Sequence, residues 1–504
     1  MATSYVPIIG LEIHVQLKTQ SKMFCSCDAQ YFGDEPNTHT CPTCLGLPGA
    51  LPVMNQEAII QTIRVGLALN CEIPAESKFD RKNYFYPDLV KGYQISQYDQ
   101  PLTKNGWLEI ETEEGRVRIG ITRAHLEEDT AKSIHETDPK TGESYTLIDC
   151  NKSGIPLLEI VSEPDLRSVR EASAYARKIQ QIVRYIGASD ADMEKGQLRF
   201  DINVSLGIIE DAEGVEDTLD IVKRILPKKH TPIVEVKNLN SFRALEKALE
   251  YEIKRQITLY EETGELSEMG NKETRGWDYE REETIFQRSK EEAHDYRYFP
   301  EPDLPPMRFT AEQIETWRAE LPELPEAKAA RFVKAYGIKP EDAALLVADR
   351  KEADWFEQAV EKQDKTVVQE VAKWLLGDVT YLLRERETTL LQSGLSGEHL
   401  VELVTLIAAG TISGKIAKDI LPEIITGKSP KALVTEKGLQ QVSDSGALEA
   451  VAREVIAENP AVVDQIRSGK ESAIMFLVGQ MMKKTKGQAN PPVVQEILRK
   501  LILT

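Results

Sequence analysis

A proline-rich run at residues 300–306, PEPDLPP, divides the chain into two parts with different patterns. Proline has no backbone donor and disfavours helix in the residue before it, so the run predicts a structural boundary. Short β-rich pieces precede it, with turns and a few helical segments; they are Val6–Ile9, Val117–Ile121, Ile202–Leu206 and Ile233–Val236. The pattern predicts an α+β region at 1–306 with a mixed, largely antiparallel sheet, followed by an all-helical remainder.

Helical spacing of apolar residues locates the helices. In the first part it predicts Asn55–Leu69 and Ser168–Ile186, the latter with Ser168 as N-cap and Glu171 completing a capping box. After the prolines the predicted helices are Thr310–Leu321, Glu326–Tyr336, Val367–Arg386, Gly397–Ala409 and Glu496–Leu503. With 504 residues the chain exceeds one core, so we expect the remainder to divide into 307–409 and 410–504.

Four cysteines lie close together in the first part of the chain. Cys25 and Cys27 form one pair, and Cys41 and Cys44 form a second pair, with 13 residues between the two pairs. Two thiolate pairs across one loop can converge tetrahedrally on zinc. A closed four-thiolate site would hold the loop 25–44 and leave no position for substrate. The alternative is four cysteines that bind no metal.

The chain has a net charge of −20, which on its own argues against a nucleic-acid partner. The segment 411–504 differs, because its 13 Lys and Arg exceed its 10 Asp and Glu. It is the expected place for phosphate contacts, although so small an excess can arise by chance. No apolar run is long enough for a bilayer, and the first residues do not resemble a signal or transit peptide. We therefore expect a cytoplasmic protein without membrane contact.

Ionisable side chains recur at strand spacing. In GLEIHVQL, residues 10–17, alternation places Glu12, His14 and Gln16 on one face of a strand. Such a carboxylate and imidazole can share a metal or phosphate ligand, or they can form a solvated polar face. Other dense clusters are RAHLEED at 123–129, DADMEKG at 190–196, RFDINVS at 199–205 and EVKNLNS at 235–241.

Carboxylates scattered in this way suit magnesium, which retains water and bridges nucleotide phosphates. Arg199 and Lys237 could offset phosphate charge. Neither a Walker loop nor a GxGxxG motif is present, so a nucleotide site here would be of another type.

Seven long segments in order make the chain resemble the B subunits of aspartyl/glutamyl-tRNA(Asn/Gln) amidotransferases, the GatB/GatE family. The segments are GLEIHVQL (10–17), YFYPDLVKGYQISQYDQPL (84–102), RAHLEEDTAK (123–132), NKSGIPLLEIVSEPD (151–165), SDADMEKGQLRFDINVS (189–205), VEVKNLNSF (234–242) and DYRYFPEPDLP (295–305). The resemblance covers essentially the whole chain.

The resemblance implies an ATP-dependent ligase acting on tRNA that carries Glu or Asp on the wrong acceptor. ATP would phosphorylate the side-chain carboxylate, and ammonia would displace the phosphate to give Gln-tRNA(Gln) or Asn-tRNA(Asn). Ammonia would come from glutamine on a separate amidase subunit, and a small third subunit would complete a heterotrimer. ATP, Mg²⁺ and a structural Zn²⁺ are the cofactors expected.

Site residues follow from matching the family's motifs. The resemblance implies Glu12, His14, Glu127 and Glu235 as magnesium ligands, and Asp192, Lys195 and Arg199 as contacts to ATP or the activated carboxylate. Each of these could instead belong to a structural ion pair.

The family's layout implies a cradle-shaped catalytic domain at 1–306, a helical domain at 307–409 and a helical tail at 410–504 similar to YqeY. The helical domain and tail would grip tRNA, with Lys483, Lys484 and Lys486 as phosphate contacts; a solvated helix face is the alternative.

Two other functions stay open. One is a non-catalytic tRNA-binding scaffold with a degenerate pocket. The clustered carboxylates argue against it, since a scaffold has no need of them. The other is a small-molecule enzyme of the ATP-grasp or kinase type, which would turn over without tRNA.

Overall fold

The computed structural model describes residues 3–112, 115–209, 229–268, 271–289, 296–440, 445–485, 489 and 491–503. The chain divides into two compact units, Met1–Leu324 and Pro325–Thr504. The first unit combines strands with helices and the second is helical among its described residues, which confirms the α+β prediction. The domain limits at residues 306 and 409 stay predictions.

The strands of the first unit alternate with long loops and helices. In chain order the strands are β1 Ser4–Gln16, β2 Glu76–Ser77, β3 Asp80–Asn83, β4 Tyr93–Ser96, β5 Thr103–Thr112, β6 Gly115–Glu128, β7 Lys132–Thr137, β8 Ser144–Asp149, β9 Pro156–Ser162, β10 Leu198–Ile209, β11 Val234–Leu239, β12 Glu273–Asp278, β13 Glu283–Ser289, β14 Phe299–Pro300 and β15 Met307–Arg308.

Eight of these strands form the main sheet, in the order β13-β12-β11-β10-β1-β9-β6-β5. All neighbouring pairs are antiparallel except β11 and β12, which are parallel. The mixed, largely antiparallel sheet predicted from the sequence is therefore confirmed. Its central strand, β1, lies between β10 and β9, so residues from distant parts of the chain meet on either side of it.

One face of the sheet is apolar and is covered by helices. The helices of the first unit are α1 Gln56–Ala68, α2 Val169–Tyr185, α3 Phe242–Thr263 and α4 Ala311–Ala319. Leu11, Ile13 and Val15 of β1 are almost fully buried in the same core as Ile63 of α1 and Ile179 of α2. Alternation along the strand therefore sends the polar residues of β1 to the opposite face, as the sequence predicts.

Helix ends follow the local sequence closely. The side chain of Asn55 caps α1, and Ser168 caps α2 by accepting a hydrogen bond from the backbone N–H of Glu171. In a complete capping box the carboxylate of Glu171 would accept a hydrogen bond from the backbone N–H of Ser168. It accepts instead from the backbone N–H of Arg167, one residue earlier. The capping box at Ser168 is thus only half formed, while Thr310 and Gln313 form a complete one before α4.

The second unit is built from short helices around two separate cores. The helices are α5 Pro325–Tyr336, α6 Pro340–Leu346, α7 Arg350–Val360, α8 Lys365–Trp374, α9 Thr380–Glu385, α10 Gly397–Ala408, α11 Gly414–Ile424, α12 Pro430–Glu436, α13 Ser445–Glu458, α14 Pro460–Arg467, α15 Ile474–Lys484 and α16 Pro491–Leu503. One core runs from Phe332 to Val434 and the other from Leu448 to Ile502.

Two predicted helices differ from the structure. The predicted helix 367–386 contains a π-helical turn at Leu375–Val379 between α8 and α9, where backbone hydrogen bonds join residues five apart instead of four. The terminal helix begins at Pro491, five residues before the predicted start, since proline fits the first turn of a helix. No helix in the described ranges has the length and apolar character that a membrane span requires.

Candidate active site

The polar face of the main sheet collects ionisable side chains from five neighbouring strands. Glu12 of β1 lies opposite Asp201 of β10, and two residues later His14 lies opposite Arg199 of β10 and Glu159 of β9. Because residues directly opposite in a sheet share a face, these side chains project to the same side. The antiparallel register therefore brings together groups that are far apart in the chain.

His14, Glu127 and Glu159 form one compact group. One ligand atom from each lies within 4.8 Å of the others. The Nε2 atom of His14 is 3.4 Å from the Oε2 atom of Glu159, and Ser96 donates to Glu127 over 3.2 Å. Glu127 and Glu159 are 2% and 7% exposed. One imidazole and two carboxylates are a donor set that divalent cations accept, so these residues fit a magnesium ion or a related metal.

A second acidic group lies beside the first, toward β11. Asn203 donates to Glu12 over 2.8 Å, and Thr274 of β12 donates to Glu235 over 3.0 Å. The Nζ atom of Lys237 is 3.1 Å from the carboxylate of Asp201 and 3.3 Å from that of Glu235. Burial and the neighbouring carboxylates raise the pKa of Glu12.

The pKa values of the individual side chains in this group are shifted in different directions. Burial, reinforced by Glu159, raises the pKa of Glu127 to about 7. Burial lowers the pKa of the adjacent His125 to about 3, so this imidazole is neutral at physiological pH. Burial opposes protonation of His14, but Glu159 and Asp201 outweigh it and raise its pKa. Burial alone would raise the pKa of Glu159, but the hydrogen bond from His14 and the charges of His14 and Lys82 outweigh it and hold this pKa well below the usual range.

Asp129 organises the edge of this face. Its carboxylate accepts hydrogen bonds from Lys152 over 2.8 Å, Gln16 over 2.9 Å and Arg199 over 3.1 Å. Although Asp129 is buried, Arg199 and Lys152 hold its pKa well below the usual range. Arg199 is therefore a partner of Asp129, with a third of its side chain still exposed.

The structure does not bring every predicted residue to this face. Asp192 and Lys195 lie in the loop before β10, where their side chains are 3.6 Å apart and about half exposed or less. Their described contacts are with one another, with that loop and with the ring of Phe32. Their predicted contact with ATP or an activated carboxylate stays a prediction.

A cleft of about 830 Å³ includes part of this face. Its lining combines cations with aromatic rings: Lys82, Asn83, Tyr84, Phe85, Tyr86, Asp88, Thr130, Lys237, Thr274, Gln287, Arg288, Tyr296 and Arg297. The side chain of Phe85 is 81% exposed and that of Tyr86 is 51% exposed. Because Lys237 and Thr274 also contact the acidic group at Glu235, the cleft connects directly to the polar face.

The four predicted cysteines converge in a separate place. The sulfur atoms of Cys25, Cys27, Cys41 and Cys44 all lie within 4.8 Å of one another. The backbone N–H of Cys41 donates to the sulfur of Cys44, and the Cys25 thiol helps to lower the pKa of Cys44 to about 4. Four sulfurs at this spacing fit tetrahedral zinc coordination.

The predicted tRNA contacts of the tail lie at the end of α15. Lys484 forms ion pairs with Glu454 and Glu458, at 3.2 Å and 2.7 Å. Lys483 is exposed and makes no ion pair within the part of the chain that the structure describes. Lys486 lies outside the described residues.

Three residues in or beside the site were not singled out by the sequence patterns: Glu159, His125 and Lys82. Glu159 is the single charge in the apolar strand PLLEIVS, and a lone carboxylate within a central strand was the available signal. His125 precedes Glu127 by two residues on β6, so alternation alone placed it on the same face. For Lys82 the sequence carries no comparable signal.

Comparison with known proteins agrees with this architecture. Residues 7–315 match the family model of the GatB/GatE catalytic domain, and residues 354–502 match that of the GatB domain. A relative from Carboxydothermus hydrogenoformans is 48% identical, covering 98% of both chains. One from Gloeothece citriformis is 48% identical over 99% of this chain and 98% of its own, and one from Thermotoga maritima is 46% identical over 99% of each. All three are described as B subunits of aspartyl/glutamyl-tRNA(Asn/Gln) amidotransferases.

Proposed function

Because the chain belongs to the GatB/GatE family, we propose that it activates and amidates the amino acid on a mischarged tRNA. The substrates are Glu-tRNA(Gln), Asp-tRNA(Asn) or both, together with ATP. An oxygen of the side-chain carboxylate bonds to the γ-phosphorus of ATP, and ADP leaves. The nitrogen of ammonia then bonds to the carboxyl carbon, and phosphate leaves, which gives the amide.

The observation that carries this proposal is the convergence of His14, Glu127 and Glu159 on one polar sheet face beside a cationic cleft. We assign these three residues as magnesium ligands, with Glu12 and Glu235 on the adjacent side. A magnesium ion there would neutralise phosphate charge as it develops. Magnesium binding by Glu12, His14, Glu127 and Glu235 stays part of this proposal, with Glu159 added.

The cations of the cleft have a complementary role. Lys237 stays protonated, because Asp201 and Glu235 outweigh burial and raise its pKa. Lys82 is likewise held in its charged form, since Glu127 and neighbouring groups outweigh burial and raise its pKa. Together with Arg288 they would attract the phosphates of ATP or of the acceptor end, and the exposed ring of Phe85 offers a surface for an unstacked base.

The chain works as one subunit of a larger complex. Ammonia reaches this chain from a separate, glutamine-hydrolysing amidase subunit, and a small third subunit completes the heterotrimer. The second unit binds tRNA through its basic tail, and zinc at the four cysteines has a structural role. The complex works in the cytoplasm, where aminoacyl-tRNA is consumed.

Glu159→Gln in the purified complex tests the proposal. We expect ATP consumption and amide formation with Glu-tRNA(Gln) to fall by about 100-fold or more, while glutamine hydrolysis by the amidase persists, because a ligand to the phosphate-binding metal is lost. Glu111→Gln, an exposed glutamate of β5, is the matched control and should retain activity. ATP consumption by Glu159→Gln within twofold of wild type would favour the scaffold function instead.

A further inference from the structure

Lys22 is a fully buried lysine next to the four cysteines. Its side chain has no exposed surface, and it is among the largest side chains buried in this way. The Nζ atom donates to the backbone carbonyls of His39 over 2.7 Å and Cys150 over 3.2 Å, and it lies 3.8 Å from the sulfur of Cys44. Within the described ranges it forms no ion pair with a carboxylate.

A buried ammonium without a carboxylate requires another negative charge. Two carbonyl dipoles satisfy hydrogen bonds but leave the full charge of Lys22 desolvated, which is costly. A disulfide carries no charge and would not compensate it, so the counter-charge must be an anionic sulfur, and that of Cys44 lies 3.8 Å away. Four thiolates on a divalent metal carry a net charge of −2, so the metal-bound form of the cluster supplies this counter-charge. The residues present therefore fit a charged metal–thiolate centre.

The same lysine connects two loops. Through the carbonyl of His39 it holds the loop that carries Cys41, and through that of Cys150 it holds the segment 150–154. The next residue, Met23, donates its backbone N–H to Gly154 over 2.7 Å. The buried amide of Asn151 adds a further link, since it accepts from the backbone of His39 over 2.8 Å.

The segment 150–154 in turn reaches the polar face of the main sheet. Lys152 donates to Asp129, and the backbone N–H of Gly154 donates to the carbonyl of Asp129 over 2.9 Å. Asp129 is the residue that holds Arg199 and Gln16 at the edge of the candidate active site. An unbroken set of contacts therefore runs from the sulfur cluster to this edge.

We propose that Lys22 is a positioning residue: its ammonium is the counter-charge of a metal–tetrathiolate centre, and its hydrogen bonds tie that centre to the segment that orients Lys152 and Asp129. This inference depends on the fit of the cysteines to a metal and not on the tRNA reaction. Its failure and that of the proposed function are therefore distinguishable.

The first test measures zinc retention by the full-length protein. Lys22→Met should release zinc to a chromophoric chelator about tenfold faster than wild type or more, the range found when groups around a metal site are removed. Lys18→Met, at an exposed lysine four positions earlier, should match wild type. In the cobalt-substituted protein, Lys22→Met should also weaken the thiolate charge-transfer band. Release rates and spectra equal to wild type would overturn the proposal.

A second set of variants, made in a protein that carries Cys27→His, separates the effect of the Lys22 charge from the effect of its hydrogen bonds. Cys27→His keeps four ligands but makes the metal centre one unit less negative, so the effect of Lys22→Met should shrink to less than about threefold there. If Lys22→Met has the same effect in both proteins, Lys22 acts through its hydrogen bonds alone. That result would overturn its proposed role as counter-charge. If Lys22→Met does not fold, the double variant should fold better than the single one, and equal failure overturns the proposal.

The third test uses the wild-type chain. Removing zinc should increase amide hydrogen exchange at Met23 and Gly154, while Trp107 and Leu108 in β5 stay protected. Unchanged exchange at Met23 and Gly154 in the metal-free protein would overturn the coupling between the sulfur cluster and the 150–154 segment.

Discussion

Two clusters of ligand side chains in the first unit differ in both chemistry and origin. The sulfur cluster is drawn from one stretch of chain, Cys25 to Cys44, and its four soft ligands complete a coordination sphere. The cluster of His14, Glu127 and Glu159 is drawn from three strands, offers oxygen and nitrogen ligands and lies beside a cleft. A closed soft site fits a structural role, whereas an incomplete hard site leaves room for substrate oxygens.

The two clusters are assembled by different parts of the fold. Local loops gather the cysteines, so loss of that site should affect stability first. The register of β1 with β9 and of β9 with β6 gathers His14, Glu127 and Glu159, so the sheet itself holds these side chains together. Variants at the two clusters should therefore separate activity from stability.

The largest effect is expected at the oxygen-rich cluster. His14→Ala should lower ATP-dependent amidation by about 1,000-fold, because the proposed ligand to the phosphate-binding metal is lost. Some loss of stability is expected as well, because the buried carboxylate of Glu159 loses its imidazole partner, but the loss of rate should be the larger effect. Initial rates and calorimetry on the same preparations measure both. A severe loss of stability with little loss of rate would mean that His14 stabilises the fold and does not take part in the reaction.

The opposite pattern is expected at the sulfur cluster. Cys44→Ser should lower the free energy of unfolding by about 3 kcal/mol or more, because metal binding contributes directly to folding. Denaturant titration and zinc analysis would measure this, with Cys71→Ala as a control at a buried thiol outside the cluster. If Cys44→Ser loses zinc but unfolds like Cys71→Ala, zinc at this site has no structural role.

Acid should weaken magnesium binding at the oxygen-rich site. Burial raises the pKa of Glu127 from 4.5 to about 7, so its carboxyl is protonated below that pH and a metal must displace the proton. The imidazole of His14, whose pKa is also raised, must lose its proton as well, so the apparent magnesium affinity should fall steadily from pH 8 to pH 6, most steeply below 7. Magnesium titrations of ATP consumption at pH 6, 7 and 8 give the measurement. Equal affinity at all three would contradict this pKa.

The smallest effect is expected in the tail, where two neighbouring lysines have different surroundings. Lys484 pairs with Glu454 and Glu458, which compete with phosphate, while Lys483 makes no described ion pair. Lys483→Ala should weaken tRNA binding by a few-fold and reduce the salt dependence by about one ion, and Lys484→Ala should do less. Filter binding at several salt concentrations compares them. The reverse ranking would show that the Lys484 pairs break on binding.

Much of the fold was predictable because the signals are local. Alternation in GLEIHVQL correctly assigned both faces of β1, and the cap at Ser168 marked the start of α2. The cysteine spacing likewise indicated the sulfur cluster. Each of these patterns depends on neighbours within a few residues, so no tertiary contact is needed to interpret it.

The composition of the oxygen-rich cluster was only partly predictable. His14 and Glu127 came from their motifs, but their meeting depends on β9 lying between β1 and β6, which pairing at long range decides. Glu159 was missed for that reason. The resemblance grouped Asp192 and Lys195 with Arg199. The structure places Asp192 and Lys195 in the loop before β10, and their contact with ATP stays a prediction.

Binding of Mn²⁺, a spectroscopic substitute for Mg²⁺, tests the oxygen-rich cluster most directly. Titration of the purified complex with Mn²⁺ and ATP, followed by electron paramagnetic resonance, should show a bound ion in wild type and in Glu111→Gln. Glu159→Gln should bind that ion at least about tenfold more weakly. Wild-type affinity in Glu159→Gln would mean that His14, Glu127 and Glu159 do not form the metal site, and the proposed phosphorylation centre would have to lie elsewhere.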